Sequence, residues 1–273
     1  MMKKSKLLVT IFIAVFVVGI GGFGLYRITK SASYIKEKVP EAINIDTIAA
    51  NQPTEKTAQA SNPTPTIPAA TPVVPATPPS PPIELNLAMK FYTQAPFGDW
   101  REPWQNACEE ASMLLVANTY FKHNWTREQF RDQILAIVAY ENKMYGDYKE
   151  NDINQIVKTL KNFLNLKGII HKDPSFKDVQ SILAKGHFII VPLAGKELKN
   201  PFYTNGGPDY HVMVIKGYKA DEKIITEDVG TRSGENYVYT WKTIINAMHD
   251  YTIPIDNGAK ILIEVIPPSG KGH

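Results

Sequence analysis

The chain has 273 residues, 44% of them hydrophobic, and a formal net charge of +3. That charge is too small, and its lysines too scattered, for a nucleic-acid-binding surface, so nucleic acid is excluded as a partner. The single cysteine excludes any intramolecular disulfide.

The first element in chain order is the uncharged apolar run Leu7–Tyr26, preceded by Lys3, Lys4 and Lys6 and followed by Arg27 and Lys30. At about 1.5 Å rise per residue such a run spans a hydrocarbon core of about 30 Å. It is longer than the apolar region of a cleavable signal peptide, whose weak cleavage candidate here is Ser31-Ala32-Ser33. Residues 1–30 are therefore expected to anchor the chain in a membrane, N-terminus inside. On either reading, anchor or cleaved leader, the rest of the chain is extracytoplasmic. Residues 31–82 form a Pro/Thr/Ala-rich linker, densest from Asn62 to Pro82. Proline fixes φ and removes a donor, so this stretch reads as an extended spacer between anchor and domain, with a proline-rich ligand as the alternative.

Residues 83–273, about 190 in number, have the size of a single domain. Leu85–Thr93 predicts a strand, and Pro96, Gly98 and Pro103 an irregular stretch carrying Trp100 and Trp104. A helix follows from Asn106, with Ala107, Ala111, Leu114, Leu115 and Asn118 on one face. Thr126 and Gln129 form a capping box for a second helix. A third opens at Asn151, and a fourth runs from Ser175 to Lys185, stopped by Gly186. Phe188–Leu193 and His211–Ile215 are continuous apolar runs of the kind buried in sheets. Lys223–Asp228, Tyr237–Tyr239 and Lys260–Ile266 predict further strands, with a helix over Thr240–Tyr251. Helices first and a mostly antiparallel sheet second predict an α+β domain.

Within that frame a few residues carry chemistry. With Asn106 as N-cap, Cys108 lies in the first helical turn, where the macrodipole and free backbone donors favour a thiolate. Glu109 and Glu110 oppose this unless they point away, and Glu109 stands where a capping-box partner of Asn106 would. The bland alternative for Cys108 is a small buried hydrophobe. A thiol nucleophile needs a base and the base an orienting group. Of the six histidines, His123, His171 and His273 fall in connections or at the terminus. His249 suits a helix C-terminus, while His187 and His211 both head buried strands. Asp228 follows His211 across a short turn, where a hairpin of open register would make the strands neighbours and offer the imidazole a carboxylate, the alternative being a turn or capping residue. The Cys108 N–H offers one oxyanion donor, and Gln94 or Gln105 a second. No metal-ligand spacing is present, and neither metal nor cofactor is called for.

Two motif regions, taken together, resemble a known family. Phe91-Tyr-Thr-Gln94-Ala-Pro-Phe-Gly-Asp-Trp100 followed by Cys108-Glu-Glu-Ala-Ser112 is similar to the opening of the bacteriocin-processing (double-glycine) cysteine peptidase-like family, in its stand-alone exported branch. His211-Val-Met-Val-Ile-Lys-Gly217 and Asp228-Val-Gly230-Thr-Arg-Ser-Gly234 resemble its histidine and aspartate motifs. The resemblance implies a papain-like fold, with Cys108 as nucleophile, His211 as general base and acid, and Asp228 orienting the imidazole. It also favours Gln94 over Gln105 for the oxyanion. The implied activity is peptide-bond hydrolysis on a peptide or protein substrate, with no cofactor. The chain departs from the family at Glu109-Glu110, where many members have Gly-Pro, and at Val229, often proline. Alternatives on the same scaffold are a cell-wall peptide amidase, an acyl transferase or a peptide-binding module without turnover. Nothing in the sequence sets oligomeric state or cleavage specificity.

Overall fold

The computed structural model describes residues 36–51 and 80–268. The apolar run Leu7–Tyr26, the proline-dense part of the linker and His273 lie outside them. Among the described residues no helix is long and apolar enough to cross a membrane.

The elements in chain order are α1 (Ile45–Asn51), β1 (Leu85–Asn86), α2 (Cys108–Tyr120), α3 (Arg127–Tyr145), α4 (Ile153–Asn162), β2 (Lys167–Lys172), α5 (Phe176–Ala184), β3 (Phe188–Ala194), β4 (Tyr210–Lys219), β5 (Lys223–Glu227), β6 (Tyr237–Thr240), α6 (Trp241–Ala247) and β7 (Ile261–Ile266). One antiparallel sheet runs β2-β7-β3-β4-β5-β6, and β1 continues along β4 beyond the end of β3. The architecture is α+β, as the order of patterns predicts.

Local chemistry explains the helix ends. Thr126 accepts from the Gln129 N–H while the Gln129 side chain accepts from the Thr126 N–H, and Asp152 and Ser175 close the same reciprocal box on Gln155 and Asp178. Each such cap is worth about 1 kcal/mol. Helix α2 has no polar side: every residue from Cys108 to Asn118 is buried, the pattern of a helix enclosed by other elements. It packs on β4 and β3 on one side and on α3 on the other.

One side chain ties its C-terminal end to the sheet. Tyr120 Oη accepts from the Phe188 N–H at 2.8 Å and donates to the Val265 carbonyl at 2.6 Å. Tyr120→Phe orphans both buried groups. It is expected to destabilise the domain by about 1–3 kcal/mol, read as a lower urea midpoint at unchanged m-value.

Three expectations need correction. The Leu85–Thr93 strand shrinks to two residues plus a bridge at Leu87, because β4 leaves only Tyr218 and Gly217 free on that side. β2 was not foreseen: Lys167–Lys172 puts only two aliphatic residues among charges, and its pairing with all of β7 makes it a strand. Finally, residues 36–51, assigned to the linker, are part of the folded body. Ile43 bridges Leu87 and Asn86 donates to the Pro40 carbonyl. Ile45 and Ile48 pack on the core, and Glu37 pairs with Lys219 and Lys223.

Candidate active site

A cleft of about 790 Å³ opens where the first turn of α2 meets the start of β4. Cys108, His211, Gln94 and Gln105 all line it. Asp228 stands just past the end of β5, behind the His211, Tyr203 and Gly230 that line the cleft.

The β4–β5 hairpin sets that geometry. Val214 faces Glu227, and the register shift between Ile215 and Gly217 re-aims the strand beyond it. His211 Nε2 lies 2.9 Å from Asp228 Oδ1, with both side chains buried. An imidazole bonded to a carboxylate through Nε2–H keeps Nδ1 as the nitrogen available to a thiol proton. Asp228 is itself held on every side. Oδ1 also accepts from the Gly230 N–H at 3.1 Å, while Oδ2 accepts from Tyr203 and Tyr239, each at 2.7 Å, and from Asn200 at 3.1 Å. Burial pushes this carboxyl up. The charge of His211 and the hydrogen bonds from His211, Tyr239 and Tyr203 outweigh it, so the group lies below the usual aspartate range. The Tyr203 ring also meets the imidazole edge-on at 5.6 Å.

The glycines of the aspartate motif have steric reasons. A Cβ at Gly230 would stand 2.8 Å from His211 Cε1, and one at Gly234 would collide with the Asp228 carbonyl. The Asp228 N–H donates to the Gly234 carbonyl, closing the loop on itself. Gln94 is drawn to the same loop by its N–H, which donates to the Val229 carbonyl at 3.0 Å.

Two expectations at the nucleophile are revised. Asn106 is not the N-cap. It ends a short 3-10 turn, Trp104–Asn106, and spends its amide on Glu102; Ala107 takes the cap position and Cys108 is the first helical residue. Glu109 therefore does not bond back to a cap. It turns into the interior, where its carboxylate accepts the Cys108 S–H at 2.9 Å and the Asn151 N–H at 3.0 Å. The sulfur's other partner is the Val212 backbone, next to His211. Burial first, then the charge of Glu109, push the thiol well above its ordinary pKa. The magnitudes explain why the helix terminus does not prevail. It offers about 0.3–1 kcal/mol to an anion, while a like charge about 4 Å away costs on the order of 4 kcal/mol at an effective dielectric of about 20.

Gln94 lies in the cleft, but its amide nitrogen donates to the Trp104 and Gln105 carbonyls at 2.9 and 3.0 Å. Its oxygen is buried without a partner. Donation to an oxyanion would require it to release one of those carbonyls. His187 and His171 are elsewhere, both on Glu264 of β7, and His249 contacts the Gly258 carbonyl. Among the described residues no group of acidic, histidine or cysteine side chains is arranged to hold a metal ion. Sequence reasoning missed Tyr203, Tyr239 and Asn200. Only Tyr239 left a signal, as an aromatic alternating with Tyr237 on the strand next to β5.

Comparison with known proteins places the chain at the level of family. A solved structure from Bacillus anthracis, described as a candidate C39-like peptidase, shares 13% identity over 66% of this chain and 96% of its own, with a TM-score of 0.43. No curated protein matches. The model of the Peptidase_C39 like family matches residues 86–252, a span that includes Cys108, His211 and Asp228. That match covers more than half of the chain, which supports a peptidase-type function and establishes that this protein belongs to the Peptidase_C39 like family.

Proposed function

We propose that the domain is a papain-like thiol peptidase that hydrolyses peptide bonds with Cys108 as nucleophile, His211 as base and acid, and Asp228 as orienter. The observation that carries the reading is the buried 2.9 Å contact between His211 Nε2 and Asp228, behind a cleft whose wall holds Cys108. His211 Nδ1 takes the thiol proton, and the sulfur attacks the scissile carbonyl. The carbonyl electron pair moves onto oxygen, next to the Cys108 N–H and within reach of a released Gln94 amide. Collapse of that intermediate expels the amine, which takes the proton from Nδ1. Water then attacks the thioester with His211 again as base, and the thiol is restored as the acid leaves. Neither metal nor cofactor enters any step.

A peptide-directed thiol electrophile tests the assignment. It should label the wild type and fail on Cys108→Ala, and His211→Ala should cut the labelling rate by about 10²-fold or more. Equal labelling of the histidine variant would remove His211 from the reaction. One observation favours a second reading, a peptide-binding module without turnover: the thiol is held by Glu109 rather than by the imidazole. Unchanged peptide binding by Cys108→Ala, with no turnover by either form, would mark that case.

The site is further proposed to act outside the membrane, with Leu7–Tyr26 as anchor. The docking of residues 36–51 shortens the tether. From Tyr26 to Lys36 the extended chain reaches at most about 35 Å, and the proline-rich stretch does not lie on that path. Because Cys108 is the only cysteine, a membrane-impermeant thiol reagent on intact cells reports its side directly. Labelling only after lysis would overturn the extracytoplasmic placement.

A further inference from the structure

We infer that Glu109 is a third proton-carrying group of the nucleophilic centre, and that the thiol reacts only when Glu109 is in its acid form. The inference rests on the peptidase reading and goes beyond it, since Cys108, His211 and Asp228 would suffice without any carboxyl at position 109.

The geometry is specific. Glu109 Oε2 is the acceptor for the Cys108 S–H, and its other oxygen is fixed by the Asn151 N–H. The group is fully buried, and among the described residues it forms no ion pair. It faces Cys108 and Glu110 on α2, Glu141 on α3 and Tyr210 on β4, and Tyr210 in turn faces Asp250 after α6 and Asp152 at the start of α4. Glu110 is buried with neither oxygen bonded to an N–H or O–H, and burial, followed by repulsion from Glu141 and Glu109, pushes its carboxyl well above the ordinary value. The Glu141 carboxylate accepts from the Thr159 hydroxyl. Glu109 is the member of this cluster that touches the reacting atom.

The proton balance gives its role. In the resting state the thiol keeps its proton and shares it with the Glu109 carboxylate. If the S–H proton moved to His211 Nδ1 with Glu109 still ionised, two anions would share one buried hydrogen-bond distance. When Glu109 first takes a proton from solvent, its O–H turns to donate to the sulfur. The S–H bond then breaks towards Nδ1, leaving a thiolate between an imidazolium and a neutral carboxyl. Nothing is oxidised, and one solvent proton is carried by Glu109 throughout. Burial pushes Glu109 up to about 7, which puts this uptake near neutrality.

The test is the pH profile of Cys108 alkylation in the intact chain. An ordinary thiol alkylates faster as pH rises. Here the wild-type rate should instead fall as pH rises through about 7, and Glu109→Gln, a permanent neutral mimic, should lose that falling limb and alkylate about tenfold or more faster at about pH 8. Glu141→Gln, which does not touch the sulfur, should keep the limb. A wild-type rate that climbs steadily across the range overturns the inference without needing either variant. So does a Glu109→Gln profile identical to wild type, or loss of the limb in Glu141→Gln as well. Failure of the peptidase reading looks different: labelling would then be indifferent to His211→Ala at every pH.

Discussion

Asp228→Asn is expected to lower kcat by about 10⁴-fold on any peptide substrate, the size of the same change in triads built on serine. The reason lies in the hydrogen bonds of this site. His211 donates to Asp228 through Nε2, and that donation leaves Nδ1 unprotonated for the thiol. An asparagine that turns its amide towards the ring asks Nε2 to accept, which moves the ring proton to Nδ1 and removes the base. An asparagine that turns its oxygen to the ring sets its amide against Tyr203, Tyr239 and Asn200, all of which donate to Oδ2. Either orientation leaves buried donors without acceptors, at about 1–3 kcal/mol each. Activity and stability should therefore fall together, read by single-turnover kinetics and by urea unfolding. The pH dependence of stability supplies a further signature. Asp228 is held below its unfolded value, so its contribution is complete above about pH 4 and is lost as pH falls through the folded pKa. The asparagine variant should lack that part of the acid transition. Normal turnover by Asp228→Asn would show that the carboxylate is structural only.

How much of this could be read from the chain depends on the range of the interaction involved. Helix ends are local, and Thr126, Ser175 and Gly186 marked them as the structure has them. The apolar strands β3 and β4 were legible because their residues are buried on both faces. β2 was not, since its strand character comes from β7, almost a hundred residues away in the chain. Residues 36–51 failed for a related reason: their few apolar side chains signal nothing until Leu87 and the core meet them. At the site, Cys108, His211, Asp228 and Gln94 were singled out by motif and order, and the structure gathers them around one cleft. Their surroundings were not accessible. Asn200 and Tyr203 come from a loop, and Glu109 turned on a single residue of capping register. With α2 starting at Cys108 rather than Ala107, Glu109 is its second residue, not the third that a capping box needs. Its carboxylate meets the sulfur instead of the cap.

The largest expected loss of stability sits away from the cleft, at Lys216→Met. Lys216 is 2% exposed at the β4 irregularity, with its ammonium 3.0 Å from Glu227 Oε1 and 3.3 Å from the Leu87 carbonyl. Burial pushes Glu227 up to about 7 against the pull of Lys216 and the Asn236 N–H. Its folded pKa thus lies above the unfolded one, so the folded state binds more protons and stability declines as pH rises between about 4.5 and 7. Removing the ammonium takes away the main force holding that value down, and the decline should steepen and extend to higher pH. A lone buried carboxylate costs about 3–5 kcal/mol, which for a domain of this size is a fall in Tm of about 10 °C or more near neutrality. Lowering the pH to about 5 should recover much of the loss by protonating Glu227. Lys216→Met combined with Glu227→Leu removes both charges, and replacement of a buried pair by apolar side chains is commonly neutral or better. The double variant should therefore melt well above the single one and lose the pH dependence. If Lys216→Met melts like the wild type at about pH 8, where Glu227 is ionised, the pair does not hold the β4–β5 hairpin. Because Glu227 is the residue immediately before Asp228, the same hairpin sets where His211 finds its carboxylate. The single variant should thus also lose activity in step with its stability, and the double variant should regain it.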